Sequence, residues 1–203
     1  IYLTIRGRSA HGAQPQDSVD AIVAASGVIQ AIQTVVSRNN HPLQPFVVTI
    51  GTINGGTSSN IIANEVKLSG TVRSFSPAVR DKMANRLEEI SKAAAAVYGA
   101  ECEFEYRRCT PAVINCPEET DMLRQAVSQI FGQEALHGLE KTTGGEDFAW
   151  FLERIPGSYV RIGASAAAEG KNWPHHHERF DVDEEALVNG AAVFCQTALM
   201  FGR

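Results

Sequence analysis

Val66-Lys67-Leu68-Ser69-Gly70-Thr71-Val72-Arg73-Ser74-Phe75-Ser76-Pro77 is the stretch on which the fold turns. Val66, Leu68, Gly70 and Val72 recur at period two, the pattern of a strand with one buried face. Ser76-Pro77 then reads as a helix start: the hydroxyl caps a free N–H, and a proline at the first helical position has no N–H to lose. A strand over about 61–75 therefore passes directly into a helix, whose apolar positions are Met83, Leu87, Ile90, Ala94 and Val97. Gly99 sits where a left-handed C-cap belongs. Glu101 to Tyr106 then alternates strictly, as a strand with one wet face does.

Upstream, Asn54-Gly55-Gly56 is turn chemistry, and Phe46 to Ile53 reads as the preceding strand. Pro42 and Pro45 close a loop after a helix over about 18–37, where Ile22, Ala25, Ile29, Ile32 and Val36 form one stripe. Before it lies a polar loop, Gly7 to Pro15. Residues 1–6 alternate as a strand. The order is β-α-β-β-α-β, the ferredoxin-like split βαβ. Two helices are expected on one face of a four-stranded antiparallel sheet. An edge strand of such a sheet can pair with a second copy, so a dimer is expected.

Beyond Thr110-Pro111-Ala112 the pattern changes. Helices are expected over 118–131, about 144–153 and from Asp183 onward, with one short strand at Ser158–Gly163 and a loop over 164–179. The last helix is apolar on most sides (Leu187, Ala191, Val193, Phe194, Leu199), so burial is expected for it. It needs a sheet to lie against, and this segment does not supply one. Residues 113–203 therefore read as part of a larger α/β domain, and residues 1–112 as a domain of their own. The chain opens without Met, inside a strand, which reads as a fragment or a processed chain.

The 203 residues, at roughly 150 per domain, allow one large or two small domains. With 44% hydrophobic residues the chain has enough apolar content for a core, and its net charge of −5 disfavours general binding to nucleic acid or anionic membranes. The longest apolar runs fall well short of the ~20 residues of a membrane span. Cys102, Cys109, Cys116 and Cys195 form no Cys-x-x-Cys pair. Cys102 and Cys195 fall in apolar patterns and read as buried thiols. No signal-type segment is visible, and a cytoplasmic location is expected.

The chemistry-bearing residues are few. Trp173-Pro174-His175-His176-His177-Glu178 offers neutral imidazoles for a metal or, equally, a solvated loop. Successive side chains of extended backbone diverge, so the triplet can rarely give more than two ligands to one ion. His11 lies in a small-residue loop that a substrate can approach closely, or is a surface histidine. Asn60 is a turn residue or a polar contact. Arg73 can bind a carboxylate in a bidentate way or lie on the wet face of the sheet. Glu146 and Asp147 cap a helix or line a pocket. His41 and His137 show no ligand spacing.

Five stretches in order carry a resemblance: Gly7 to Pro15 with Val19-Asp20-Ala21; Gly51 to Gly56 with Asn60-Ile61-Ile62; Gly70 to Phe75; Gly145-Glu146-Asp147-Phe148; and His176 through Asp181. They resemble the two-metal aminoacylase and carboxypeptidase family, in its branch of N-acyl-amino-acid amidohydrolases, hippurate hydrolases and auxin-conjugate hydrolases. The resemblance implies a βαββαβ lid or dimerisation domain followed by the C-terminal part of an α/β metallopeptidase catalytic domain. It also implies that the N-terminal portion, which supplies most metal ligands and the general-base glutamate, is missing.

By the same resemblance His11 is the lid histidine that reaches a partner subunit's site and stabilises the oxyanion. Asn60 and Arg73 hold the substrate's carboxylate, and His176 is the last metal ligand. Glu178 stands where the family has Pro, and His175 and His177 flank His176, so the choice of ligand within the triplet stays open. The implied cofactor is two divalent ions (zinc, manganese, cobalt or nickel) that activate water for hydrolysis of N-acyl amino acids or small peptides. The chain alone is expected to be nearly inactive. Two rival readings are a non-catalytic dimerisation or regulatory module that keeps the lid, and a complete small metal hydrolase built on the 175–177 loop.

Overall fold

The computed structural model describes residues 1–165, 170 and 173–201. These divide into two compact units: Ile1–Ala112 with Thr143–Gly145, and Val113–Thr142 with the residues from Glu146 on. The loop expected over 164–179 lies partly outside the described residues.

In the first unit the order is β1 (Tyr2–Arg6), α1 (Ala21–Thr34), β2 (Phe46–Gly55), β3 (Glu65–Ser74), α2 (Pro77–Val97) and β4 (Glu101–Glu105). The four strands form one antiparallel sheet in the order β2-β3-β1-β4. β3 lies inside it because its alternation gives it an apolar face, with Val66 and Leu68 almost fully buried. They join Leu3 and Ile5 of β1 against Ala24, Ala25, Val28 and Ile32 of α1 and Met83, Leu87 and Ala95 of α2. The odd positions of β3 face the other way, where Glu65 pairs with Arg6 and Arg6 reaches Glu103 at 3.0 Å. Gly51 is the extra residue of a bulge, since the register shifts between Ile50 and Thr52.

Local details differ from the periodic reading, each for a tertiary reason. Helix α1 starts at Ala21 rather than Ser18, because Val19 is bridged to Arg8 in both directions (2.9 and 3.0 Å). Asp20 then caps it, accepting from Ile22 N–H at 2.9 Å and Val23 N–H at 3.1 Å. A π turn over Val35–Asn39 lengthens α1. By length and composition the resulting 19-residue helix, with a mean hydropathy of 1.3, is long and apolar enough to cross a membrane. Its apolarity has another use here: one face, from Ala21 to Val35, lies fully buried in the core. Gly99 takes φ +74°, as its C-cap position requires. Burial raises the Cys102 thiol to about 11.

The second unit contains α3 (Pro117–Phe131), α4 (Ala149–Leu152) and α5 (Glu185–Phe201). Among the described residues it holds no strand. No strand forms at Ser158–Gly163, where Tyr159 is paired by a side chain. Asn115 accepts from Tyr159 N–H at 2.8 Å and donates to Tyr159 C=O at 2.9 Å. The helix expected over 144–153 shrinks to α4, since Glu146 takes the Phe148 N–H at 3.1 Å just ahead of it. Burial of α5 is also corrected: only Gly190 and Val193 are buried, and Leu187, Phe194, Leu199 and Cys195 are exposed.

Candidate functional site

The loop after β1 is held by the segment before β3. Gly7 N–H donates to Asn64 C=O (2.8 Å), Ile62 N–H to Ala10 C=O (3.0 Å) and Gly12 N–H to Asn60 C=O (2.8 Å). The strand expected from Ile61 thus begins regular sheet pairing only at Glu65, its first residues being used to pin this loop. Gly7 is required: a Cβ there would lie 2.1 Å from Val19 C=O. The outcome is that His11 and Asn60, 49 positions apart in sequence, become neighbours through the His11–Ile61 bridge.

Both side chains are set by local hydrogen bonds. Ala13 N–H donates to His11 Nδ1 at 3.1 Å. An accepting Nδ1 carries no proton, so the neutral ring carries it on Nε2 and presents an N–H donor there. Ser58 Oγ–H donates to Asn60 Oδ1 at 2.6 Å. With its oxygen engaged, Asn60 offers the two N–H donors of its amide. One end of the sheet thus carries an exposed pair of neutral donors. Ser58 and the Ala13 amide are the members that residue-type reasoning passed over. A Ser two residues before an Asn in a turn is the sequence signal for the first. An open pocket of about 320 Å³ beside this loop is lined by Ser9, Asn54, Gly56, Ile62, Asn64 and Lys67 among others, and by neither His11 nor Arg73.

Arg73 lies elsewhere. It is opposite Val47 near the far end of β3, whereas the His11–Asn60 pair sits beyond Glu65 at the near end. Eight residues of strand at about 3.3 Å each put roughly 26 Å between the two ends. Arg73 and Asn60 of one chain are therefore too far apart to grip the same carboxylate. Arg73 is exposed on the wet face. Within the first unit its guanidinium fills the space beside Gly145, where a Cβ would stand 3.2 Å from Nη1.

In the second unit the three histidines are not equivalent. Pro174 C=O accepts from His177 N–H at 3.1 Å, closing a turn, and His177 Nδ1 accepts from Arg179 N–H at 3.0 Å. The His177 ring stacks on Trp173 with centroids 4.2 Å apart, and His175 lies against Phe180 at 4.9 Å. His176 is exposed and adopts φ +70°, the left-handed region, and among the described residues it is the one non-glycine to do so. Such backbone costs on the order of 1–3 kcal/mol and clusters at functional sites.

Glu146 of the same unit is held ionised: the Phe148 N–H and then the Tyr159 hydroxyl lower its carboxyl below the usual range, and the same contact raises Tyr159. Glu146 accepts from Phe148 N–H just ahead of α4, but the cap position of that helix is Phe148 and no side chain caps it. Among the described residues no three or more His, Cys, Asp or Glu side chains converge as an ion would require. The donors described do not by themselves fit a pair of ions.

Residues 8–200 match the model of peptidase family M20/M25/M40. The chain is 35% identical over 198 residues to an N-acetylcysteine deacetylase of Bacillus subtilis, covering 98% of this chain and 50% of that protein. A crystal structure from methicillin-resistant Staphylococcus aureus, described as a candidate aminohydrolase, matches with a TM-score of 0.86 at 32% identity, over 98% of this chain and 50% of that one. The YXEP protein of Bacillus subtilis, described as a dinuclear metal-binding peptidase, matches with a TM-score of 0.76 at 28% identity, over 98% and 49% of the two chains. The chain spans about half the length of the proteins it matches.

Proposed function

From a chain that belongs to the peptidase family M20/M25/M40, we propose a role as the ferredoxin-like lid and the C-terminal catalytic portion of a metal-dependent amidohydrolase. Its substrates are N-acyl amino acids or small peptides, its divalent ions zinc, manganese, cobalt or nickel, and its compartment the cytoplasm, in keeping with four unpaired cysteines. The domain boundary lies at 112/113.

The observation that carries the reading is the His11–Asn60 pair. Amide hydrolysis builds negative charge on the carbonyl oxygen, and a preset neutral N–H donor stabilises it without having to reorganise. His11 Nε2–H has that form. Asn60 supplies donors for the substrate's carboxylate. Arg73 completes the carboxylate site only from a second protomer, because the length of β3 separates it from Asn60. The expected homodimer through the lid is therefore part of the mechanism: His11 and Asn60 from one protomer serve the site to which the partner brings its arginine. His176 donates one ligand to an ion, held in an exposed, strained backbone position.

The test is amino-acid release from N-acetyl amino acids in the presence of zinc, manganese, cobalt or nickel. The chain alone is expected to turn over negligibly, and the chain assembled with the remaining half of the catalytic domain to turn over in a metal-dependent way. Robust turnover by the chain alone would favour a self-contained small hydrolase. No turnover by any assembly that forms would favour the non-catalytic module.

A further inference from the structure

The backbone of Asn60 is held from two sides. Its C=O accepts from Gly12 N–H at 2.8 Å, and Ile61 N–H donates to Ser58 C=O at 3.3 Å, closing the turn that carries it. A Cβ on Gly12 would stand 3.1 Å from the Asn60 carbonyl oxygen, so the two segments are in close contact. What the backbone leaves open is the last torsion of the side chain. That torsion is broad and roughly two-fold, and turning it over exchanges the oxygen and nitrogen of the amide. One setting shows a ligand an acceptor, the other a pair of N–H donors.

The Ser58 hydroxyl decides between the two settings. Its Oγ lies 2.6 Å from Asn60 Oδ1. That separation suits an O–H···O bond, for which about 2.7–2.8 Å is usual, and is short for an N–H···O bond, for which about 2.9–3.0 Å is usual. The atom beside Ser58 is thus the amide oxygen, and Nδ2 is the atom left for a ligand. An ionised carboxylate has acceptors only and matches both donors. A carboxamide has one acceptor and an NH2 group, and its NH2 finds no acceptor on an amide set this way. Turned over, Asn60 would repel a carboxylate and accept from a carboxamide.

We propose that Ser58 is a positioning residue that sets the substrate class: by holding Asn60 Oδ1 it makes this subsite select a free carboxylate over a carboxamide. The proposal rests on the reading under Proposed function, in which Asn60 meets the substrate's carboxylate, and adds the residue that fixes the preference.

The test uses the complete 203-residue chain, labelled with nitrogen-15, and two probes that differ at one group, N-acetylalanine and N-acetylalaninamide. The side-chain amide protons of Asn60 are expected to respond to the first at lower concentration than to the second. Ser58→Ala should narrow that preference about three- to tenfold, the size of one hydrogen bond. Ser58→Thr keeps a hydroxyl and should restore it, and Ser59→Ala, next in the same turn, should leave it unchanged. Ser58 is exposed, so circular dichroism of its variants should match wild type. In the assembled protein Ser58→Ala should raise KM for N-acetylalanine by a similar factor with kcat nearly kept, a split that general loosening of the turn at His11 would not produce. An Asn60 that answers neither probe, or both alike, overturns the proposal. So does a carboxylate preference that survives Ser58→Ala. A preference that depends on Ser58, in a protein whose assemblies never hydrolyse either probe, keeps the proposal and removes the amidohydrolase reading, so the two failures stay distinct.

Discussion

His11 shows how much one backbone amide can decide. The Ala13 N–H at Nδ1 selects the tautomer, and the tautomer selects what the ring can do: donate from Nε2. On the proposed amidohydrolase reading, His11→Ala in the assembled protein is expected to lower kcat about 10²–10³-fold, the range for loss of an oxyanion donor. KM should move much less, and steady-state kinetics will separate the two. The cysteines differ just as sharply. With Cys102 raised to about 11 by burial, only about a thousandth of it is thiolate at pH 8, so its alkylation should be slow. Cys109 and Cys195 are exposed and should react first with iodoacetamide, as peptide mapping by mass spectrometry would reveal.

At the scale of elements, the decisive arrangement is β1 and β3 continuing past their regular pairing so that the His11 loop is gripped by residues 60–64. The grip needs a backbone without a Cβ at Gly7, where Val19 C=O is in the way. Gly7→Ala is expected to cost about 1–3 kcal/mol, the range for overpacking a tight site. Urea unfolding would measure the loss, and hydrogen exchange at Gly12 and Ile62 should speed up with it. Unchanged protection at those amides would mean that the loop is held by something else.

At the scale of the whole molecule, the separation of Arg73 from His11 and Asn60 turns the proposed dimer into a kinetic prediction. His11→Ala and Arg73→Ala assemblies should each be nearly inactive. Mixed and allowed to exchange protomers, half the dimers are heterodimers, and each of these has one site with a complete set. Activity should return to about a quarter of wild type, as two-fold symmetry dictates. A mixture as dead as its components would put all three residues in one protomer's site, against the length of β3.

Much of this molecule was determined locally. Period-two and period-3.6 patterns, the Ser76-Pro77 start and Gly99 delimit β3, α2 and β4 because those signals act over a few residues. The motif histidine, asparagine and arginine are legible as residue types for the same reason. Tertiary structure alone decided which of them meet. Residues 60–64 pair with the His11 loop instead of extending β3, Asn115 stands in for a strand at Tyr159, and Val19 is bridged to Arg8 before α1 can begin. Each is a long-range hydrogen bond, whose partner no local periodicity can name. The exposed apolar side of α5 is the converse case: its sequence marks it for burial, yet burial requires a second surface, and among the described residues none covers it.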